Sequence, residues 1–236
     1  PRTILVLGGG GMKGIAHIGV WKALEESGIR PDAIVGTSIG ALIGACLAGG
    51  MGWRELAEIA RRLKRQDIVS VNRRAMWLGG VREPAVFEGD HFLEYIRRSL
   101  PVQEFSRLRI PLRLNAVSLV SGDQVWFGAG ERDDVPIADA VYASCALPMY
   151  FAPARIDGDV LVDGGILDVF PVRLALAWGA ERVIGVDVGS DFLPPDPGYL
   201  EQGMTPIHER VLNLNLQGQR ARCTDEVKDA PLLYIR

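Results

Sequence analysis

The apolar residues near the start of the chain fall in short blocks punctuated by glycine. Thr3-Ile4-Leu5-Val6-Leu7 is a continuous apolar run that ends in glycines, the pattern of a strand buried on both faces of a parallel sheet. Past Gly8-Gly9-Gly10-Gly11-Met12-Lys13-Gly14, the apolar positions Ile15, Ile18, Trp21, Ala23 and Leu24 recur at helical spacing, and Gly28 predicts the C-cap. Pro31 leads into a second strand, Ala33-Ile34-Val35. Gly36-Thr37-Ser38-Ile39-Gly40 follows, then the small-residue helix that starts at Ala41 and reaches Ala48. This is a β-α-β unit whose second strand feeds directly into another helix. Right-handed crossovers bring both loops to the carboxyl edge of the sheet, so the glycine-rich loop and Ser38 are expected to be neighbours.

Further along, residues 111–120 read as a long strand, Ser121-Gly122-Asp123 as a turn and residues 124–127 as the returning strand. Pro136 opens a helix over residues 137–146 that Pro148 stops. Residues 156–162 form a tight hairpin ending in Asp163-Gly164-Gly165, Pro171 begins a helix through Trp178, and residues 182–188 give a last core strand. After Ser190 comes a proline-rich loop, Phe192 to Gly198, a helix over residues 206–223 and an apolar end, Leu232-Leu233-Tyr234-Ile235, suited to an edge strand. The expected organisation is one α/β domain over residues 3–190, with residues 191–236 as a tail packed on it without an assigned role.

Composition narrows the classes little but usefully. At 236 residues, with 48% hydrophobic and 23% charged residues, the chain can bury a sizeable core. A net charge of -3 gives no reason to expect nucleic-acid binding. Cys46, Cys145 and Cys223 are odd in number and far apart, and read as reduced thiols; with His17, His91 and His208 they show no metal-ligand spacing. His91 reads as structural. No basic-then-apolar leader precedes the first strand, so no signal peptide is expected here, and the longest apolar run, residues 41–48, is far short of a membrane span. The expected localisation is cytoplasmic. One stretch bears on membranes: between Trp53 and Arg74, Arg54, Arg61, Arg62, Lys64, Arg65, Arg73 and Arg74 outnumber Glu55, Glu58 and Asp67. It reads either as a basic lid that makes transient peripheral contact with an anionic lipid surface, or as a solvated helix face covering the core.

Three short motifs carry candidate chemistry. Gly36-Thr37-Ser38-Ile39-Gly40 is G-x-S-x-G between a strand and a helix, where a cramped turn lifts a serine hydroxyl above the sheet and glycines two before and two after let the chain pass. Gly9, Gly11 and Gly14 satisfy the dinucleotide pattern G-x-G-x-x-G, yet the acidic residue that should end the second strand is missing, and Ile15 after Gly14 excludes a P-loop. The better reading is that these glycines expose amides, at a helix start, toward an anion forming beside Ser38. Asp163 is either a plain turn former or a base delivered to the same edge as Ser38.

Together, Gly9-Gly10-Gly11-Met12-Lys13-Gly14, Gly36-Thr37-Ser38-Ile39-Gly40, the segment Ala143-Ser144-Cys145-Ala146-Leu147-Pro148 with Met149-Tyr150-Phe151-Ala152-Pro153, and Asp163-Gly164-Gly165 make the chain resemble the patatin-like phospholipases. The resemblance spans residues 3–188, and Lys13 stands where many members have arginine. It implies a three-layer fold with a mainly parallel sheet and a catalytic dyad of Ser38 and Asp163. It also implies an oxyanion hole from Gly9, Gly10 and Gly11, supported by Lys13, Gly14, Gly36, Gly40, Gly164 and Gly165. The implied reaction is hydrolysis of a lipid ester, phospholipid or lysophospholipid first, with no metal or organic cofactor and calcium dispensable. A histidine-dependent hydrolase would need His208 to return to Ser38 from the unmatched tail. An unperturbed aspartate, with a pKa of about 3.9, is a poor base, so burial must raise it. A carboxylesterase or thioesterase would use the same dyad, whereas an acyltransferase of the malonyl carrier-protein type would be expected to have histidine where Thr37 stands. From other classes, a nucleotide-binding protein or a catalytically inactive regulatory protein stays open.

Overall fold

The computed structural model describes residues 1–68, 70, 85–189, 194 and 198–236. The basic residues Arg73 and Arg74 and most of the loop from Phe192 to Gly198 lie outside the described residues. A central sheet holds eight strands. Five of them run parallel in the order β10 (Leu232–Ile235), β9 (Arg182–Val186), β1 (Thr3–Leu7), β2 (Ala33–Gly36) and β4 (Leu112–Ser118). The hairpin of β7 (Ala154–Ile156) and β8 (Asp159–Asp163) adds through β8 antiparallel to β4, and β5 (Gln124–Gly128) pairs antiparallel with β4 as well. The sheet is therefore mainly parallel with an antiparallel flank.

Side chains alternate across β1 and sort the core into two layers. Leu5 and Leu7 face one cluster and Ile4 and Val6 the other. The first cluster is covered by α1 (Ala16–Glu26), α2 (Ile39–Ala48), α3 (Trp53–Arg62), α5 (Gly89–Ser99) and α6 (Ile137–Cys145). The second lies under α7 (Val172–Ala177) and α8 (Met204–Glu226), with Phe170, Val172, Cys223 and Val227 buried against it. Helices on both faces of the sheet give three layers.

Local sequence accounts for most of these elements. Gly28 sits at φ +68, and Ile29 N–H reaches back to the Leu24 carbonyl to close α1. Gly36, Gly40 and Gly44 let α2 lie against β1 and β2: a Cβ on Gly40 would fall 2.1 Å from the Leu7 carbonyl oxygen. Helix α8 begins before Pro206, because a proline in the first turn gives up an N–H that has no helical partner there, and it extends past Cys223 to Glu226. Strand β9 is shorter than expected and is followed in the sheet by β10, which takes the edge.

Two features escaped the sequence pattern. Ala85–Phe87 (β3) and Met149–Phe151 (β6) form a separate two-stranded parallel sheet, and both are too short for a period to show. In the basic stretch, α3 buries Leu56 and packs Ala57 and Ala60 on the core, while Glu58 pairs with Arg61 and Arg62. A one-turn helix, α4 (Arg65–Ile68), follows, and the Asp67 carboxylate accepts the Lys64 N–H.

The elbow glycines and an unconstrained one should part company in a melting experiment. Gly40→Ala sets a Cβ against two backbone carbonyls and should cost on the order of 3 kcal/mol or prevent folding. Gly19, exposed in α1 with nothing within 4 Å of a Cβ, should gain about 0.5–1 kcal/mol as alanine. At this chain length that is a rise of a few degrees in Tm.

Candidate functional site

Ser38 sits on the turn between β2 and α2 with φ 55 and ψ -124, a conformation that costs a non-glycine residue on the order of 1–3 kcal/mol. The turn is clamped from several sides. Thr37 N–H donates to the Leu7 carbonyl at 3.1 Å, Ser38 N–H donates to Ser144 Oγ on α6 at 2.9 Å, and Ala41 N–H returns to the Ser38 carbonyl at 2.8 Å. The hydroxyl that results is aimed at one group. Ser38 Oγ donates to Asp163 Oδ2 at 2.7 Å.

Asp163 reaches that position through the two-sided pairing of β4. Strand β5 occupies one edge of β4; along the other, β2 pairs with Leu112 to Leu114 and β8 takes over from Ala116 to Ser118. Because β8 runs antiparallel to β4, its last residue, Asp163, stops opposite Ala116, just beyond the end of β2. The carboxylate is 4% exposed, and its other oxygen, Oδ1, accepts Gly165 N–H at 2.8 Å. Burial is the largest influence on it and outweighs these bonds, so its pKa is pushed up to about 6. Among the described residues, no cation is one of its hydrogen-bond partners.

A buried polar link joins the two turns. Thr37 Oγ1 donates to Asn115 Oδ1 at 2.9 Å, and Asn115 Nδ2 donates to the carbonyls of Asp168 at 3.0 Å and Gly164 at 3.4 Å. A Cβ on Gly164 would collide with Asn115, so this close approach needs the glycine. Gly14 likewise leaves space that Ile39 fills, since a Cβ there would lie 2.3 Å from Ile39 Cγ2.

The glycine-rich loop lies beside Ser38, with a Cβ on Gly9 falling 3.3 Å from Ser38 Cβ. Its amides are not equivalent. Gly8 N–H donates to the Val186 carbonyl at 3.0 Å and Gly9 N–H to the Val169 carbonyl at 2.9 Å, whereas the amides of Gly10 and Gly11 have no partner among the described residues. Gly9 thus contributes the shape of the loop and has no free donor, a difference from the expected trio. Lys13 lies in the single 3-10 turn, Gly11–Ile15, that leads into α1. The loop's carbonyls are held from outside: His17 Nε2 bonds Gly8 O at 2.9 Å, and Arg220 Nη2 bonds Gly9 O at 2.9 Å.

The histidines and cysteines fall outside any rival chemistry at Ser38. Burial lowers the His17 pKa to about 4, so its ring is neutral, and Nε2 facing a carbonyl carries the hydrogen. His91 bonds the Gln66 carbonyl, and His208 Nε2 is buried without a hydrogen-bond partner among the described residues. All three cysteines are free and buried. Cys145 lies by Ser38 and Asp163, but burial holds its thiol well above the ordinary value, in the un-ionised form. Among the described residues no three metal-ligating side chains come together, and no helix is long and apolar enough to cross a membrane.

Sequence reasoning placed Ser38, Asp163 and both glycine loops, and the structure brings all of them together. Asn115, His17 and Arg220, polar residues within regular strands or helices, carry no local signature in the sequence. Ser144 stood in the segment Ala143–Pro153 but without its bond to the Ser38 amide.

The strained serine and the buried carboxylate should each be visible in stability. Ser38→Gly should be more stable than Ser38→Ala by about 1 kcal/mol, since only glycine relaxes at φ 55. An ordinary carboxyl titrates near 3.8 and Asp163 about 6, so ionising it in the fold costs up to about 3 kcal/mol. The penalty is absent below about pH 4, grows between pH 4 and 6 and is constant above. Asp163→Asn should therefore melt higher than wild type at pH 7 and gain little at pH 4.

Comparison with known proteins bears on the family and the fold. The family model described as "Patatin-like phospholipase" matches residues 5–176. An uncharacterised NTE family protein of Mycobacterium tuberculosis is 33% identical over 195 residues, which are 83% of this chain and 51% of that protein, so the chain spans about half the length of that relative. The uncharacterised protein YqhO of Bacillus subtilis is 31% identical over 202 residues, covering 77% of this chain and 69% of YqhO. A lysophospholipase, NTE1 of Mycosarcoma maydis, is 33% identical over 190 residues, 79% of this chain but 10% of its own. Among solved structures, VipD from Legionella pneumophila shares the fold with a TM-score of 0.62 at 17% identity, over 86% of this chain and 52% of that one.

Proposed function

The chain belongs to the patatin-like phospholipase family, and from that membership and the Ser38–Asp163 contact we propose that it is a serine acyl hydrolase acting on lipid esters. The observation that carries the reading is the 2.7 Å bond from Ser38 Oγ to a buried carboxylate that has no cation partner among the described residues. An aspartate titrating near 6 is ionised at neutral pH and far more basic than an ordinary one, so it can accept the serine proton.

In the first step Asp163 takes the Ser38 proton as Oγ bonds to the ester carbonyl carbon, and the carbonyl π electrons move onto oxygen. The amides of Gly10 and Gly11 hold that oxyanion, each such donor being worth about 2.7–4 kcal/mol in the transition state. Collapse breaks the bond to the alcohol, which leaves with the proton from Asp163, and the acyl group stays on Ser38. Water then gives its proton to Asp163, attacks the acyl carbon and releases the fatty acid, with the proton returning to Ser38.

A lipid acyl chain suits the surroundings. Met12, one residue past Gly11, is 58% exposed, and Leu167, two past Gly165, is 46% exposed, so apolar side chains stand next to both loops of the site in sequence. Relatives named as lysophospholipase and as patatin-like phospholipase domain-containing protein favour phospholipid or lysophospholipid over a simple ester.

Fatty-acid release from phospholipid, lysophospholipid and a short-chain aryl ester, measured in chelator, tests the reading. Wild type should turn over, and folded Ser38→Ala and Asp163→Asn should each lose at least about 10³-fold. A preference for the aryl ester would favour a general esterase. No turnover on any ester would favour an inactive or nucleotide-binding protein.

The pH dependence gives a second check. kcat/KM should rise with pH and level off above about 6, as Asp163 ionises. Asp168 is also pushed up to about 6 by burial, so the assignment needs Asp168→Asn, which should keep the limb. A rate independent of pH between 4.5 and 7.5 would remove Asp163 as the base.

A further inference from the structure

The two loops of the site are held by a helix that lies beyond residue 176, where the family match ends. Consecutive residues of α8 do it. Gln219 Nε2 donates to the carbonyls of Gly165 at 3.0 Å and Ile166 at 2.9 Å, and its Oε1 accepts Val169 N–H at 2.9 Å. Arg220 turns the other way: its Nε donates to Asp187 Oδ1 at 2.8 Å and its Nη2 to the carbonyl of Gly9 at 2.9 Å.

We propose that Arg220 is a positioning residue for the oxyanion hole, orienting and polarising the Gly10 amide through the Gly9 carbonyl. The proposal rests on the hydrolase reading above and gives the C-terminal segment a part in it. The argument starts from the planarity of the peptide. Gly9 C=O and Gly10 N–H belong to one trans unit and point in opposite directions, so a bond that fixes the carbonyl fixes the amide. Arg220 binds the carbonyl end of that unit, so the Gly10 N–H, which has no partner among the described residues, points the opposite way. A guanidinium on the carbonyl also draws electron density through the peptide and makes the amide a stronger donor.

The guanidinium is itself fixed. Arg220 and Asp187 are 13% and 3% exposed at their side chains, and Asp187 is further bonded by Gly189 N–H at 2.8 Å and by the Tyr234 hydroxyl at 2.7 Å. An ion pair this buried, with its remaining lone pairs satisfied, is rigid enough to aim a peptide. Room for the arginine comes from Gly189, where a Cβ would fall 2.6 Å from Arg220 Nε. The glycine loop has its own reason to need this support. A glycine peptide flips more freely than any other, and among the described residues the Gly9–Gly10 unit has no other hydrogen bond to its carbonyl.

Geometry requires the fork, not just the charge. Nε and Nη2 diverge to two acceptors on different segments, and a lysine ammonium on its flexible stem does not reproduce that plane. Arg220→Lys is the first variant, and Gly189→Ala is the second: it displaces the guanidinium while leaving Arg220 in place. Arg173→Met serves as the comparison, because it removes the exposed Arg173–Glu226 pair that also ties α8 to the body but does not touch Gly9.

The experiment uses the full chain, a short-chain aryl ester, a trifluoromethyl ketone that forms a tetrahedral oxyanion on Ser38, and protein labelled with 15N-glycine. Arg220→Lys and Gly189→Ala, verified as folded, should lose roughly 10–100-fold in kcat with KM within about twofold, and ketone affinity should fall in the same proportion. The Gly10 amide resonance should move in both. Arg173→Met should leave all three readouts unchanged. Unaltered kcat and ketone affinity in folded Arg220→Lys, or an equal loss in Arg173→Met, would overturn the proposal. Wild type lacking Ser38-dependent turnover would sink the hydrolase reading instead; the Gly10 resonance then decides alone, and one that stays put in both variants overturns the positioning role.

Discussion

Everything at this site depends on one edge of β4 being shared between two strands that run in opposite directions. Strand β2 ends where Leu114 pairs with Gly36, and β8 begins its pairing two residues later at Ala116. A parallel strand therefore hands its carboxyl end to an antiparallel strand arriving from the other side, and the two chain ends meet. Ser38 is two residues past the last pair of β2, and Asp163 is the last residue of β8. The 2.7 Å bond between them follows from sheet register, with Asn115, on β4 between the two pairings, bridging both turns from beneath. Hydrogen bonds of the sheet thus set the Ser38–Asp163 spacing that the proposed chemistry would use, which is more rigid than any arrangement of loops alone.

That arrangement is bought with stability. A serine at φ 55, and, among the described residues, a carboxylate buried without a cation and two loop amides without partners, each raise the energy of the fold. The two apolar layers on either side of the sheet offset them, and the contacts near the elbow are correspondingly tight. Gly36, Gly40 and Gly164 have backbone or buried side-chain atoms within 2.1–2.5 Å of where a Cβ would sit. Such closeness leaves the elbow one conformation, so strain at Ser38 is retained instead of relaxing into a neighbouring turn.

What could be read from sequence divides along the same physical line. Glycines at fixed offsets, an apolar strand before them and a helix after them are local demands, so the loop at Gly9 to Gly14, the elbow at Ser38 and the turn at Asp163 were all legible. Asn115, Gln219 and Arg220 do their work across 49 to 211 residues of separation, and nothing next to them in the chain distinguishes them from ordinary polar positions. The same holds for the non-equivalence of the three glycine amides, because the Val169 carbonyl that occupies Gly9 N–H comes from another turn. Two three-residue strands, Ala85–Phe87 and Met149–Phe151, were invisible because a period of two needs more than three positions to declare itself.

The two buried aspartates show how charge is partitioned between the parts of the site. Asp187 has Arg220 at 2.8 Å and takes hydrogen bonds on both oxygens, whereas among the described residues the Asp163 carboxylate is bonded by a hydroxyl and an amide alone. A cation beside Asp163 would favour its ionised form and drain the basicity that burial confers. An oxyanion, by contrast, gains from nearby positive charge. In the proposed arrangement, a guanidinium bonded to the Gly9 carbonyl, with its charge already engaged by Asp187, supplies polarity to the Gly10 amide and stays off the carboxylate proposed as the base. The proposed dyad, which uses no histidine to shuttle protons, needs that separation, since in that reading one carboxylate must be basic enough to deprotonate serine at the moment the neighbouring loop stabilises negative charge.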